Sequence, residues 1–208
     1  MDIFIRGLVI GFSIAAPVGP IGVLCIRRTL AEGRMAGLMT GIGAASADAV
    51  YAAIAGYGLT VVTALLIGQQ MWIRLAGGLF LVFLGIRTFL SKPAEQAAQA
   101  QGGSLSRAYT STFFLTITNP MTIISFAAIF AGLGLAADNR DFLSASVVVV
   151  GVFIGSAAWW LLLSGATSLL RERVTPRGMV WVNRISGLII LGFGFAALIS
   201  LLQGASMV

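Results

Sequence analysis

Ala16-Pro17-Val18-Gly19-Pro20 sits in the middle of an uncharged, largely apolar run from Gly7 to Ile26. A run of about 20 apolar residues is long enough to span a bilayer as a helix. Proline has no amide hydrogen and its ring clashes with the preceding turn, so the helix must break or kink here. The break falls near mid-span. Unwound backbone at membrane depth persists only inside protein or beside a wet cavity, because its polar groups need partners. Transporters build binding sites this way. A second break, Asn119-Pro120, lies at the matching place in the apolar run from about Ala108 to Leu135.

Composition agrees with a membrane protein. The 208 residues are 58% hydrophobic and 10% charged, with a mean hydropathy of +0.99. Soluble domains carry about 25% charge. The fold class expected is all-α: a polytopic membrane protein with six transmembrane helices. A net charge of +6 could indicate nucleic acid on a soluble chain. Here the basic residues fall in loops, where they set orientation, and no nucleic-acid partner is expected. The single cysteine, Cys25, excludes an internal disulfide and argues against a thiol relay. The lack of histidine excludes imidazole metal sites and histidine proton relays. Phosphate loops and nucleophile triads are also absent, so no enzyme activity, cofactor or metal is expected. No cleavable signal peptide is expected, because the first apolar run is too long for a signal h-region.

The six spans run from about Phe4 to Ile26, Ala36 to Ile67, Met71 to Leu90, Arg107 to Leu135, Phe142 to Leu170 and Met179 to Leu202. The stretch from Ser91 to Ser106, rich in Ala, Gln, Gly and Ser, reads as a flexible cytoplasmic linker. It divides the chain into a first three-helix repeat, 1–90, and a second, 107–208. Trp72, Gly78 and Gly85 in the third span share their spacing with Trp181, Gly187 and Gly194 in the sixth. Gly41 and Ser46 echo Gly151 and Ser156, and Gly19-Pro20 echoes Asn119-Pro120. Three helices per copy is an odd number, so the second copy is inverted, the plan of many secondary transporters. Ten of the 13 basic residues fall on one side under this arrangement. Basic loops stay cytoplasmic, which puts both termini on the periplasmic side.

Asp48 is the one carboxylate expected well inside a span, where a charge costs about 2.5–3.5 kcal/mol on insertion scales. It reads as a site for a substrate ammonium, a coupling proton, or both in turn. The bland alternative is a cap for the freed amides of the first break. No arginine or lysine is expected deep in any span. Pro17, Gly19 and Pro20 mark the first break, and Pro20 suits the first turn of a new helical segment. Amides at such a helix start favour anions, so a substrate carboxylate fits there. Asn119 and Pro120 offer a second such start pointing the opposite way. Ser46 and Ser156 lie near Asp48 or its counterpart Ala158 and add hydroxyls; Tyr51, one turn on, is in reach of Asp48. The glycines read as helix packing, with a dimer seam as the alternative for the stripes Gly78 with Gly85 and Gly187 with Gly194. Trp72, Trp181 and Trp159-Trp160 read as interface anchors, with a place facing the cavity as the alternative for Trp159 or Trp160.

The break, the following Arg27-Arg28-Thr29-Leu30-Ala31-Glu32-Gly33-Arg34, Asp48, Leu84-Gly85-Ile86-Arg87 and Thr118-Asn119-Pro120 together resemble the lysine-exporter (LysE/RhtB) type of amino-acid translocators. The resemblance covers nearly the whole chain. It implies a multi-pass exporter of amino acids or close relatives in the bacterial inner membrane, driven by the proton gradient and forming a homodimer. A valine separates Pro17 from Gly19, and Met121 follows Pro120, where the family often has Pro-Gly-Pro and Asn-Pro-Lys. The expected mechanism is alternating access around a midplane cavity lined by the first, second, fourth and fifth spans. A metal-cation exporter of the same plan and a non-transporting membrane scaffold are the alternatives.

Overall fold

The computed structural model describes residues 2–17, 19–57, 68–91, 104–119, 122, 125, 126 and 142–205. Seven α-helices stand among them: α1 (Asp2–Ala15), α2 (Pro20–Glu32), α3 (Arg34–Gly56), α4 (Gln70–Phe89), α5 (Leu105–Ile117), α6 (Phe142–Leu170) and α7 (Pro176–Ala205). By length and apolarity α3, α4, α6 and α7 can each cross a membrane; α1 with α2 makes a fifth candidate, bent by 80°. The chain is a polytopic α-helical membrane protein. Outward-facing side chains such as Leu79, Phe83, Leu162 and Leu188 are large, apolar and exposed, as hydrocarbon contact requires.

The first break is local chemistry. α1 ends at Ala15, two residues before Pro17, and α2 restarts at Pro20 with Gly19 as its N-cap. The Gly19 carbonyl accepts from the Val23 amide at 3.1 Å, so the new helix is hydrogen-bonded from its first turn. α2 then runs to Glu32, which corrects the expected end of the first span near Ile26. Gly33 alone separates α2 from α3; its φ of +103° lies in the region L side chains rarely adopt.

The later elements sit close to their expected bounds. α4, α6 and α7 match the third, fifth and sixth spans within a few residues, and α6 does so at both ends. α5 starts at Leu105 with Ser104 as its cap, so the last two residues of the expected linker are helical. Residues 92–103 of that linker, 58–67 of the second span and 127–135 of the fourth lie outside the described residues.

Close backbone approach holds the helices together, since lipid supplies little hydrophobic drive for helix association. Gly7 of α1 meets Gly151 of α6, Gly11 meets the Val152 backbone and Gly155 the Leu8 backbone; a Cβ on Gly7 would lie 2.6 Å from the Val148 carbonyl. Gly43 of α3 meets the Tyr109 backbone of α5, and Gly41 meets Trp160 of α6. Gly78 lies opposite Gly194, and Gly85 opposite Gly187. That pairing makes α4 and α7 antiparallel and closes the glycine stripe within the chain, so these positions are not free to form a dimer seam.

Candidate functional site

Both breaks open onto one cavity of about 680 Å³. Pro17, Gly19 and Pro20 line it from the first break; Thr118 and Asn119 line it from the end of α5, and Thr122 and Ser125 from beyond the break. α4 contributes Arg74, Gly77, Gly78 and Leu81, and α7 contributes Phe193 with two alanines. α4 comes close because Gly77 lacks a side chain: a Cβ there would lie 2.9 Å from the Thr118 carbonyl. The cavity thus unites the two breaks with the third and sixth spans. The second and fifth spans, expected in its wall, are not among the described lining residues. Arg74 is the one charged group among them.

Local geometry explains how the second break survives. The Asn119 amide donates to Thr116 O at 3.1 Å, and Asn119 O accepts from the Thr122 amide at 3.1 Å. The carbonyl of Ile117, the last residue of α5, accepts from the Tyr51 hydroxyl. Tyr51 is buried. It therefore serves the break rather than Asp48. Pro120 lies outside the described residues.

Asp48 is 3% exposed and sits between α3 and α6. Its Oδ2 accepts from Ser156 Oγ at 2.7 Å. Among the described residues no cation pairs with it, and it is not on the cavity wall. Ser156 therefore joins Asp48 as expected, whereas Ser46 donates to its own helix at Ile42 O, 2.9 Å away. Trp160 is buried against Gly41, and Trp159 packs edge-on to Phe12; neither lines the cavity. Trp72 and Trp181 are exposed, as interface anchors should be.

Two polar clusters escaped the sequence reading. Arg28, 7% exposed, donates through Nη1 to Thr40 Oγ1, Ala108 O and Thr112 Oγ1 at 3.0–3.1 Å, and through Nη2 to Ser111 Oγ at 2.9 Å. It ties α2 to α3 and α5. The faint signal was a set of hydroxyl residues on neighbouring spans: Thr40, Ser111 and Thr112. In the second cluster, Arg27 donates to Asn183 Oδ1 and Ser91 Oγ, each at 3.4 Å, and Asn183 Nδ2 donates to Ser91 O at 3.1 Å. Asn183 follows Trp181 by two residues, as Arg74 follows Trp72, and it is 1% exposed. Among the described residues no three His, Cys, Asp or Glu side chains gather as a metal site would need.

The LysE type translocator family matches residues 12–201 of the chain. The "Putative amino acid efflux protein YcgF" of Bacillus subtilis is 26% identical over 94% of each chain. The threonine efflux protein of Escherichia coli is 23% identical over 88% of this chain and 90% of its own. The chemotactic transduction protein ChpE of Pseudomonas aeruginosa is 26% identical over 95% of this chain and 98% of its own. No solved structure matches the chain significantly.

Proposed function

The chain belongs to the LysE type translocator family, and from that premise we propose that it exports amino acids or amino-acid-like metabolites across the bacterial inner membrane by proton-coupled alternating access. The observation that carries this reading is the single cavity onto which both broken helices open. Substrate binds there, with the backbone around Pro17, Gly19 and Pro20 and around Asn119-Pro120 meeting its polar groups. The names of the amino acid and threonine efflux relatives support the substrate class.

Six spans in two inverted repeats, 1–90 and 107–208 joined through 91–106, complete the plan. Helix packing supports it. The contacts Gly78 with Gly194 and Gly85 with Gly187 exchange with one another when the repeats are swapped, as a two-fold axis in the membrane plane requires. The pairing of α1 with α6 likewise exchanges with that of α5 with α3. Both termini then lie on the periplasmic side, and the protein works as a homodimer.

Asp48 with Ser156 is the proton-coupling pair. Its place between α3 and α6, off the cavity wall, favours that role over direct contact with a substrate ammonium. A proton taken up or released there changes the packing of two helices whose partners, α1 and α5, carry the breaks. Proteoliposomes test this. Asp48→Asn should abolish export driven by a pH gradient while sparing exchange of labelled for unlabelled amino acid. Wild-type export rates from Asp48→Asn at every pH would remove the role.

A further inference from the structure

We propose that Arg27, Asn183 and Ser91 form a latch that shuts one end of the cavity, and that substrate loads when the α4–α7 pair swings off α2; this rests on the export reading above. The described lining residues stop at Leu81 on α4 and begin at Phe193 on α7. From there the cavity extends toward the start of α4, at Arg74, and the end of α7, at Ala197. On the other side, Leu84 and Ile190 of the pair pack with Ile21 and Leu24 of α2 in one buried cluster. Ser91 stands ten residues beyond Leu81, and Asn183 ten before Phe193. At 1.5 Å per residue each lies about 15 Å past the cavity. Arg27, seven residues after Pro20, reaches both from α2. The cavity thus has an apolar floor with a polar clasp behind it. Under the orientation above, the clasp lies on the cytoplasmic side, where an exporter loads.

The clasp has the chemistry of a contact that can open. Gly78 against Gly194 and Gly85 against Gly187 bind α4 to α7 along their length, so the two move as one body. Within that body Asn183 Nδ2 donates to Ser91 O at 3.1 Å, which leaves Oδ1 turned to the arginine. Ser91 Oγ donates its one hydrogen to Arg87 O at 2.6 Å, which leaves its lone pairs for Arg27. The pair therefore carries a preformed acceptor socket. Arg27 meets it through bonds of 3.4 Å each, long for N–H···O, so water can replace them at little cost. A guanidinium drawn from the socket is not stranded either. Glu32 Oε1, on the same helix, stands 3.7 Å from Nη1 and travels with it. Arg28 behaves differently: its shorter bonds, at 2.9–3.1 Å, hold α2 to α3 and α5. Hence α2 stays with the body that carries the breaks, and the α4–α7 pair is the part that moves. Rocking of one bundle against another around a fixed site is the general form of alternating access.

The test uses the full chain in inside-out membrane vesicles, whose outer face is the cytoplasmic one. The reporter is Ile190→Cys in a Cys25→Ser background, since Ile190 is 1% exposed and lies between Asn183 and Phe193 on α7. The readout is its rate of labelling by a membrane-impermeant maleimide. Ser91→Ala and Asn183→Leu each remove an acceptor of Arg27 and should speed labelling about three- to tenfold, the range expected of one hydrogen bond. Ser91→Asp sets a carboxylate against Arg27. It should slow labelling, and slow export of labelled threonine, by a similar factor. Equal labelling rates in the latch-intact, Ser91→Ala and Ser91→Asp proteins overturn the assignment, and so does faster labelling in Ser91→Asp. Ser91 is only partly buried, so these arms do not depend on refilling a packed site. Labelling needs no transported substrate. Absence of amino-acid export by the unaltered chain would remove the export reading, and that outcome is read separately from the state of the latch.

Discussion

The hydrogen bonds of Arg28 can be turned into a stability prediction through a count of hydrogens and acceptors. Nη1 carries two hydrogens and has three acceptors within 3.1 Å: Thr40 Oγ1, Ala108 O and Thr112 Oγ1. Replacing either threonine with valine leaves two acceptors for two hydrogens. Each single change should therefore cost under about 1 kcal/mol. Replacing both leaves one hydrogen of a buried cation without an acceptor, which costs about 1–3 kcal/mol or more. The pair should thus be super-additive. Adding Arg28→Met to the double variant removes the stranded donor. The threonine hydroxyls lose little in the reverse case, since Thr40 also donates to Ala36 O and Thr112 to Ala108 O, at 2.8 and 2.9 Å. Arg28→Met/Thr40→Val/Thr112→Val should therefore be more stable than the double threonine variant. For a chain of this size about 1 kcal/mol moves the melting midpoint by about 2–4 °C. Thermal unfolding in mild detergent should show each single variant within about 3 °C of wild type and the double variant about 4–8 °C below it. Additive threonine effects, or a triple variant less stable than the double, would refute the reasoning.

Tyr51→Phe removes the donor to the Ile117 carbonyl at the second break; thermal unfolding should register about 0.5–1.5 kcal/mol for the lost hydrogen bond, and transport should slow as the cavity wall loosens. Gly85→Ala places a Cβ 2.7 Å from Leu191 Cγ and 2.9 Å from its amide nitrogen, so α4 and α7 must part and the melting midpoint should fall by an overpacking cost of about 1–3 kcal/mol. Gly192→Ala meets no atom within 4 Å and should match or exceed wild type, because alanine favours helix. Cys25 is 0% exposed and its thiol donates to Gly37 O at 3.4 Å, so a membrane-permeant maleimide should label it only after unfolding.

The chain's own order determined a good deal. A long apolar run with Pro17 and Pro20 inside it cannot be one straight helix, whatever surrounds it. Apolar stretches of bilayer length, with tryptophans and arginines near their ends, place α4 and α6 almost to the residue and α7 within three residues at each end. Glycines at fixed spacing marked the surfaces where helices touch. These are local properties: a missing amide hydrogen, a missing side chain, a count of apolar residues.

Tertiary structure alone decided which groups share a space. Asp48 is the conspicuous acid along the chain, yet it meets Ser156, 108 residues away, rather than the cavity. Arg74 looks like one more interfacial arginine until α4 packs through Gly77 against the second break and puts it in the wall. Arg28 looks like a loop residue until hydroxyls from two other helices surround it. The physical reason is common to all three. A buried charge is tolerated only if partners arrive from elsewhere in the fold, and long-range pairing leaves no periodic trace in a single sequence.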